Sequence, residues 1–556
     1  MIPVLRSPSR SGLFATSSRD AQHTSDSGAA RLLRPHLQHA RVNRLDYAFA
    51  LISGALLALS FPKFGHPAFA WIALVPLLLA FTGWNGRPGP LRGIAPLRAF
   101  LLSLIAGIVF FLGTVYWTGT VIVTFGDVPV PVAALGVVLM SAYLSLYHVV
   151  GLLVTSRVIA RLGARGIFFA PIGWVGGEFL RGFMLSGFPW VPLGNSQVSV
   201  LPVAQLASIL GVYGLSTLVA YVNATVAFAL LRTGRSRATA VAVAAVVLVC
   251  LGAWGTWRIR EGSLTREGTP IRVGIIQPNI EQNAKLAAAE DGDPREARRI
   301  FTTNIAMTRD VVRRGAQFVL WPESSIPFKF ERDARGEQIR ALAREVRVPI
   351  LFGSDEEIMT AGQYAIYNSA YQLNPDGGTA AVYRKMHLVP FGEFVPLRKW
   401  FFFIRPLVDS FSDFSAGESM VILPVAGHKV STAICYEVVY PSLMRDAVSK
   451  GSELLTTITN DGWYGESSAP YQHFAMAAMR AIEEGRYLAR SANTGISGLI
   501  DPYGQVVRQS AIFEQVGFVE EARFLTGKTI YAVIGDVVGY TSLALTLIAA
   551  LALWRR

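Results

Sequence analysis

Long apolar runs occupy roughly residues 46–62, 67–84, 99–121, 130–155, 167–185, 203–231 and 238–257, and another covers 537–554. Each approaches the ~20 residues that an α-helix needs to cross a hydrocarbon layer about 30 Å thick. The pattern therefore predicts a multi-span α-helical membrane bundle, with about seven spans in the first half and a last one at the end. The fifth run is the weakest, because it carries Glu178 and Arg181. Spaced i, i+3, these two face each other on a helix and partly neutralise. Between 258 and 536 the pattern changes. Short apolar strands at 271–277, 317–322, 348–353, 430–435 and 454–459 alternate with helical stretches at 294–314, 334–346 and 473–490. Asn374-Pro375-Asp376-Gly377-Gly378 and Asp501-Pro502-Tyr503-Gly504 predict hairpins. Such a mixture predicts an α/β sandwich with helices covering its sheets.

Composition and charge place these parts. The chain is 52% hydrophobic and 16% charged, against about a quarter charged in soluble proteins. Its net charge of +13 sits beside the apolar runs. Arg87, Arg92 and Arg98 follow the second run, Arg157, Arg161 and Arg165 the fourth, and Arg232, Arg235 and Arg237 the sixth; Arg555 and Arg556 follow the last. The alternate loops hold Lys63 in the first and no basic residue in 122–130 or 186–200. By the positive-inside rule both termini are expected in the cytoplasm and 258–536 on the far side. No basic-aromatic platform accompanies the charge, which argues against nucleic acid. The expected domains are a basic disordered cytoplasmic tail at 1–45, a transmembrane helical domain at 46–258, an extracytoplasmic catalytic domain at 259–528, and a final helix with a cytoplasmic end at 529–556.

Cys250 lies in an apolar run and Cys435 in the mixed region, so no bridge is expected between them. An unpaired cysteine outside the cytoplasm is unusual, which makes Cys435 a candidate reactive thiol. It ends the strand VSTAIC, as Glu323 ends AQFVLWPE and Lys385 ends AAVYRK. Catalytic groups of α/β folds tend to sit just past strand ends. Glu323 could take the thiol proton and Lys385 stabilise an anionic intermediate. Read singly, each has a plainer alternative: a small buried hydrophobe, a helix cap, a solvated lysine. Spacing leaves these open. No clustered His/Cys ligand set suggests a metal, and no cofactor is expected. Residues 395–414 place Trp400, Phe401, Phe402, Phe403 and Ile404 between Arg398, Lys399 and Arg405. This pattern suits burial at the headgroup boundary, as a lid over Cys435, or else a core segment.

WPES at 321–324, YRKMHLVPFGE at 383–393 and ICYE at 434–437 resemble the three signature segments of the nitrilase superfamily. With apolar runs on both sides, the chain from about 46 to 554 is similar to its membrane-embedded branch, the apolipoprotein N-acyltransferase family. The resemblance implies an α-β-β-α sandwich inserted before the last helix, on the periplasmic side of a bacterial inner membrane. It implies transfer of a fatty acyl chain from membrane phospholipid, through a Cys thioester, to the N-terminal S-diacylglyceryl-cysteine amine of an apolipoprotein. Glu323 resembles the family's base, Lys385 its oxyanion-stabilising lysine and Cys435 its nucleophile. Glu393 and Glu437 match further acids around the site, and Tyr436 the nucleophile's neighbour. Trp400 and Phe402 are expected at the lipid entrance. NDGWYG at 460–465, Gln472, His473, Arg480 and RSANTG at 490–495 resemble the later pattern, with supporting roles implied. Arg480, Glu483 and Arg486 have helical spacing that could buttress the site. GFPWVPLGNSQ at 187–197 is expected as its floor.

There is one departure. Where the family commonly has Lys-Trp after the first strand, this chain has Lys285-Leu286. Leu286 offers apolar contact without an aromatic face, which puts that substrate contact in question. A monomer is expected. A membrane-tethered nitrilase-type amidase needs the same triad, so motifs do not exclude it. A transporter or receptor is disfavoured by the sparse polar residues within the spans.

Overall fold

The computed structural model describes residues 44–84, 91, 93–289, 292–360, 363–394 and 414–554. Among these, four helical stretches are long and apolar enough to cross a membrane: Pro96–Val115, Val130–Ser186, Ala207–Leu231 and Arg235–Thr265. Pro67–Phe81 and Val537–Leu553 are shorter apolar helices, and Arg44–Ala58 covers the start of the first predicted run. The expected runs at 130–155 and 167–185 join through a 3-10 turn at Gly163–Phe169. The run at 67–84 divides into a 3-10 turn, Pro67–Trp71, and a helix, Val75–Phe81. Pro67 and Pro76 sit at the starts of these two pieces, where a missing N–H costs nothing.

The fifth run forms the helix Ala170–Phe183, in which Glu178 and Arg181 interact through their charges as the spacing suggested, while their hydrogen bonds go to other groups. Glu178 Oε1 accepts from Trp174 Nε1 at 2.8 Å and Leu193 N at 2.6 Å. Arg181 Nη1 donates to the carbonyls of Phe188 at 2.6 Å and Trp190 at 2.7 Å. Each therefore ties the helix to the 187–193 loop, because that loop's backbone groups offer partners its own turn does not.

The remainder forms two six-stranded sheets. One has the order β12-β1-β2-β3-β4-β5, with β1 Thr269–Gln277, β2 Phe318–Leu320, β3 Ile350–Thr360, β4 Gln363–Leu373, β5 Thr379–Arg384 and β12 Val516–Phe524. The other runs β11-β10-β9-β8-β7-β6, with β6 Leu423–Val425, β7 His428–Ile434, β8 Leu454–Thr459, β9 Leu488–Ala492, β10 Gly498–Ile500 and β11 Val506–Gln509. Both predicted hairpin turns are present, joining β4 to β5 and β10 to β11. Side chains of a strand alternate between faces, and the core divides accordingly. Val273, Ile275, Phe318 and Leu320 share one buried cluster with Ile434 and Ile458 of the other sheet, while Ile276, Val319 and Trp321 pack with Phe301, Ile339 and Leu342 of the covering helices. These helices are Pro294–Arg313 and Gly336–Val346. The result is the expected α-β-β-α sandwich. β12 lies antiparallel beside β1, so the chain enters and leaves the sandwich at one edge, next to the membrane helices on both sides of the insertion.

One predicted helix, 473–490, is instead the helix Ala469–Glu484 followed by β9. Gly485, at φ +60°, stops it in the left-handed conformation that suits glycine. Leu488–Ala492 then enters the sheet, parallel to β8 and wholly buried.

Close helix contact in the apolar region relies on small residues. A Cβ at Gly151 would stand 1.8 Å from the Gly173 carbonyl oxygen. We expect Gly151→Ala to destabilise the protein by about 1–3 kcal/mol through overpacking. Thermal unfolding in detergent checks this, and an unchanged Tm would contradict the contact.

Candidate active site

Three strand ends converge. Glu323 lies three residues beyond β2, Lys385 directly after β5 and Cys435 directly after β7. Both β2 and β7 are parallel to a neighbour, and the ends of such strands leave side chains free of the ladder. Cys435 has φ +53° and opens the 3-10 turn Cys435–Val439. Ser324, beside Glu323, has φ +44°. Conformations of this kind cost about 1–3 kcal/mol in a residue with a Cβ. Here they turn the chain sharply beside Glu323 and at Cys435, where the side chains leave the strand direction.

Glu323, Lys385 and Cys435 are all buried. Lys385 Nζ donates to Glu393 Oε1 at 2.8 Å and to Glu323 Oε1 at 3.4 Å. Burial works against its charge, but Glu393 and Glu323 outweigh burial and hold the ammonium above the ordinary lysine range. Asn368, on β4, donates one amide to both carboxylates, at 2.8 Å to Glu323 Oε1 and 3.0 Å to Glu393 Oε1. The other oxygen of Glu323 accepts from the Asn460 backbone N–H at 2.8 Å. Glu393 Oε2 is held by Val389 N at 2.8 Å.

Cys435 is a neutral thiol in this environment. Burial pushes its pKa far up, Glu323 adds to this, and Lys385 only partly opposes it. The chemistry this allows is proton removal as the sulfur attacks, with the cation nearby for the charge that develops on the substrate.

The neighbouring residues secure the backbone. Glu437 is buried, and it accepts from Ile434 N at 2.7 Å, Met386 N at 2.6 Å, His387 N at 3.1 Å and Tyr383 Oη at 2.8 Å. It therefore fastens the Cys435–Val439 turn to the Lys385 segment; burial raises its pKa to about 7. His473 Nε2 lies 3.0 Å from the Cys435 carbonyl oxygen, and its Nδ1 lies 3.0 Å from both Asp461 Oδ1 and Arg490 Nη2. Burial and Arg490 keep this imidazole below its ordinary pKa, and its Nε2 holds the Cys435 backbone carbonyl. Asp461 falls to about 2: burial would raise it, but Arg490 and His473 outweigh burial. Asn493 grips Ile280 through both its amide atoms. Arg480 pairs with Glu483 at 2.8 Å, whereas Arg486, beyond the helix end, donates to the Ser452 carbonyl at 3.0 Å.

The 187–197 segment lies beneath the Cys435–Val439 turn. Tyr436 and Tyr440 donate their hydroxyls to the Gly187 carbonyl at 3.3 and 3.0 Å. Trp190 stacks on Tyr436 and donates to Gln472 Oε1 at 2.7 Å. Leu286 is half-buried on the helix Gln282–Ala289. Trp400 and Phe402, with the rest of 395–413, lie outside the described residues. Asn368 and Asp355 join the site without any sequence signal, and Lys285 of the Lys285-Leu286 pair lies there too. Lys285 Nζ donates to the Glu323 carbonyl at 3.3 Å. Among the described residues, no group of three or more His, Cys, Asp or Glu side chains is placed to hold a metal.

Comparison with known proteins agrees with this architecture. Residues 53–225 match the apolipoprotein N-acyltransferase N-terminal domain, and residues 272–526 the carbon-nitrogen hydrolase family. An apolipoprotein N-acyltransferase of Geobacter metallireducens is 36% identical, covering 93% of this chain and 96% of its own. That of Methylococcus capsulatus is 32% identical, covering 88% and 92%. A solved carbon-nitrogen hydrolase of Helicobacter pylori aligns with 46% of this chain and 89% of its own, at 17% identity and a TM-score of 0.36.

The buried, neutral thiol predicts an optical result. A raised pKa means less thiolate than the few per cent of a free cysteine at neutral pH. The ultraviolet thiolate absorption of the wild type, less that of Cys435→Ser, should be absent between pH 6 and about 9. A thiolate band at pH 7 would contradict the assignment.

Proposed function

The chain belongs to the apolipoprotein N-acyltransferase family, and on that premise we propose that Cys435, Glu323 and Lys385 carry an acyl chain from phospholipid to a lipoprotein through a thioester. The observation that carries the assignment is the Lys385 ammonium held by Glu393 and Glu323, next to a nucleophile turn fastened to it by Glu437.

In the first half-reaction Glu323 takes the Cys435 thiol proton as sulfur attacks the donor's ester carbonyl. The negative charge moving onto the carbonyl oxygen is stabilised by Lys385, in a site from which most water is excluded. As the carbon–oxygen bond breaks, Glu323 returns the proton to the departing lysophospholipid. In the second, the α-amine of a diacylated apolipoprotein attacks the thioester. Glu323 takes a proton from nitrogen and gives it to the sulfur that leaves, which regenerates the thiol. Glu393 and Asn368 keep Lys385 and Glu323 in register through both steps.

The arginine pattern supports placing the catalytic domain on the periplasmic side. The contact of Tyr436 and Tyr440 with Gly187 would keep the nucleophile at membrane level, where donor and acceptor lipid chains end.

Incubating the full-length protein with phospholipid should produce an acyl adduct on Cys435, detected by intact-mass and peptide mass spectrometry. Cys435→Ala should show none. Glu323→Gln should form it roughly 10²–10⁴-fold more slowly, the usual worth of a general base. Wild-type protein that stays folded yet never acquires the adduct would overturn the reading.

A further inference from the structure

The proton inventory of the second half-reaction leaves one proton without a place. A free α-amine has a pKa of about 8, so much of the acceptor arrives as an ammonium. Turning an ammonium and a thioester into an amide and a thiol releases one proton overall. Glu323 passes a single proton from nitrogen to sulfur. The other must leave nitrogen before a lone pair exists to attack.

A second carboxylate stands beside Glu323. Asp355 on β3 is paired directly with Asn368 on β4, and side chains of directly paired residues project from the same face. That face holds the active site, because the Asn368 amide bonds Glu323 and Glu393 there. Asp355 Oδ1 is buried and, among the described residues, has no hydrogen-bond donor. A buried carboxylate oxygen without a donor is costly to maintain, and an ammonium would satisfy it.

We propose that Asp355 receives the acceptor's α-ammonium beside Glu323 and takes from it the surplus proton. The inference rests on the acyltransferase reading of the site. In the sequence of events, Asp355 accepts the first proton and frees the nitrogen lone pair. Nitrogen bonds the thioester carbon, Glu323 takes the second proton, and the carbon–sulfur bond breaks with that proton passing to sulfur. Asp355 then gives its own proton to water.

The charged groups around Asp355 fit this task. Lys285 faces it from the helix Gln282–Ala289, Glu323 from the end of β2, Glu393 from beyond β5, and Lys329 from the stretch after β2. Lys329 is drawn aside by Glu357 at 2.8 Å. Burial raises Asp355 to about 6, with Glu323 and Glu393 adding to the rise and Lys285 and Lys329 opposing it. The group is thus ionised at neutral pH yet basic enough to accept a proton. Burial lowers Lys285 to about 8, against the pull of Glu323, Asp355 and Cys435.

The test separates the two half-reactions on full-length protein. Acyl-enzyme is formed with labelled phospholipid, then chased with a diacylated peptide or with hydroxylamine, a nucleophile already neutral at pH 7. For Asp355→Asn we expect thioester formation and the hydroxylamine chase within about twofold of wild type. The peptide chase should fall by roughly tenfold or more at pH 7 and recover as pH rises through the acceptor amine's pKa. Asp355→Glu should retain the wild-type pH profile. Equal slowing of thioester formation and both chases, or a peptide chase with the wild-type pH profile, would overturn the proposal. Absence of the thioester in wild-type protein would instead overturn the parent reading. Should Asp355→Asn not fold, Asp355→Ser with the same chases decides between the same outcomes.

Discussion

Lys385 carries a positive charge into a site with almost no exposed surface, and Glu393 at 2.8 Å and Glu323 at 3.4 Å hold it there. A buried charge stripped of its partner costs about 3–5 kcal/mol, so the three groups stand or fall together. The chain meets this constraint by bringing Glu323 from beyond β2 to the stretch after β5 that carries Lys385 and Glu393, and by joining the two carboxylates through one amide, that of Asn368. The same arrangement sets the reactivity of Cys435. Its sulfur sits close to a carboxylate and a cation in a dry site, where the carboxylate and burial prevail and the proton stays on.

On the proposed reaction, a neutral thiol suits substrates that would arrive by way of a membrane. It avoids a standing thiolate exposed to oxidation and side reactions, and in the proposed mechanism it would become a nucleophile only when a carbonyl is in place and Glu323 can take the proton. Position matters equally. His473 holds the Cys435 carbonyl, Glu437 ties its turn to the Lys385 segment, and Tyr436 and Tyr440 rest on Gly187. Through Glu178 and Arg181 that loop is fixed to an apolar helix. A continuous set of hydrogen bonds thus runs from the apolar helices to the Cys435 turn.

Much of this was legible in the residues. Strand periodicity and the turn signals located five strands and two hairpins, and Glu323, Lys385 and Cys435 were strand-end candidates that spacing left open until the three signature segments singled them out. What escaped depends on partners distant in sequence. Asn368 and Asp355 are polar residues on strands, indistinguishable from solvent-facing ones until β3 and β4 are paired. Glu437 reads as a further acid beside the nucleophile, yet its oxygens serve backbone N–H groups brought in from Met386 and His387. Arg486 shares a helical spacing with Arg480 and Glu483, but Gly485 ends the helix between them. Glu178 and Arg181 interact through their charges as spaced, yet their hydrogen bonds reach the loop at 187–193.

The central claim is that a protein carboxylate removes the thiol proton during attack, with no thiolate waiting. The solvent deuterium isotope effect on single-turnover thioester formation, measured at Cys435 across neutral pH, tests this most directly. A proton in flight to Glu323 in the rate-limiting step predicts slower acylation in D2O, with the effect unchanged between phospholipid donors. An isotope effect indistinguishable from unity, with chemistry rate-limiting, would mean that the sulfur was already anionic and that the account of this site is wrong.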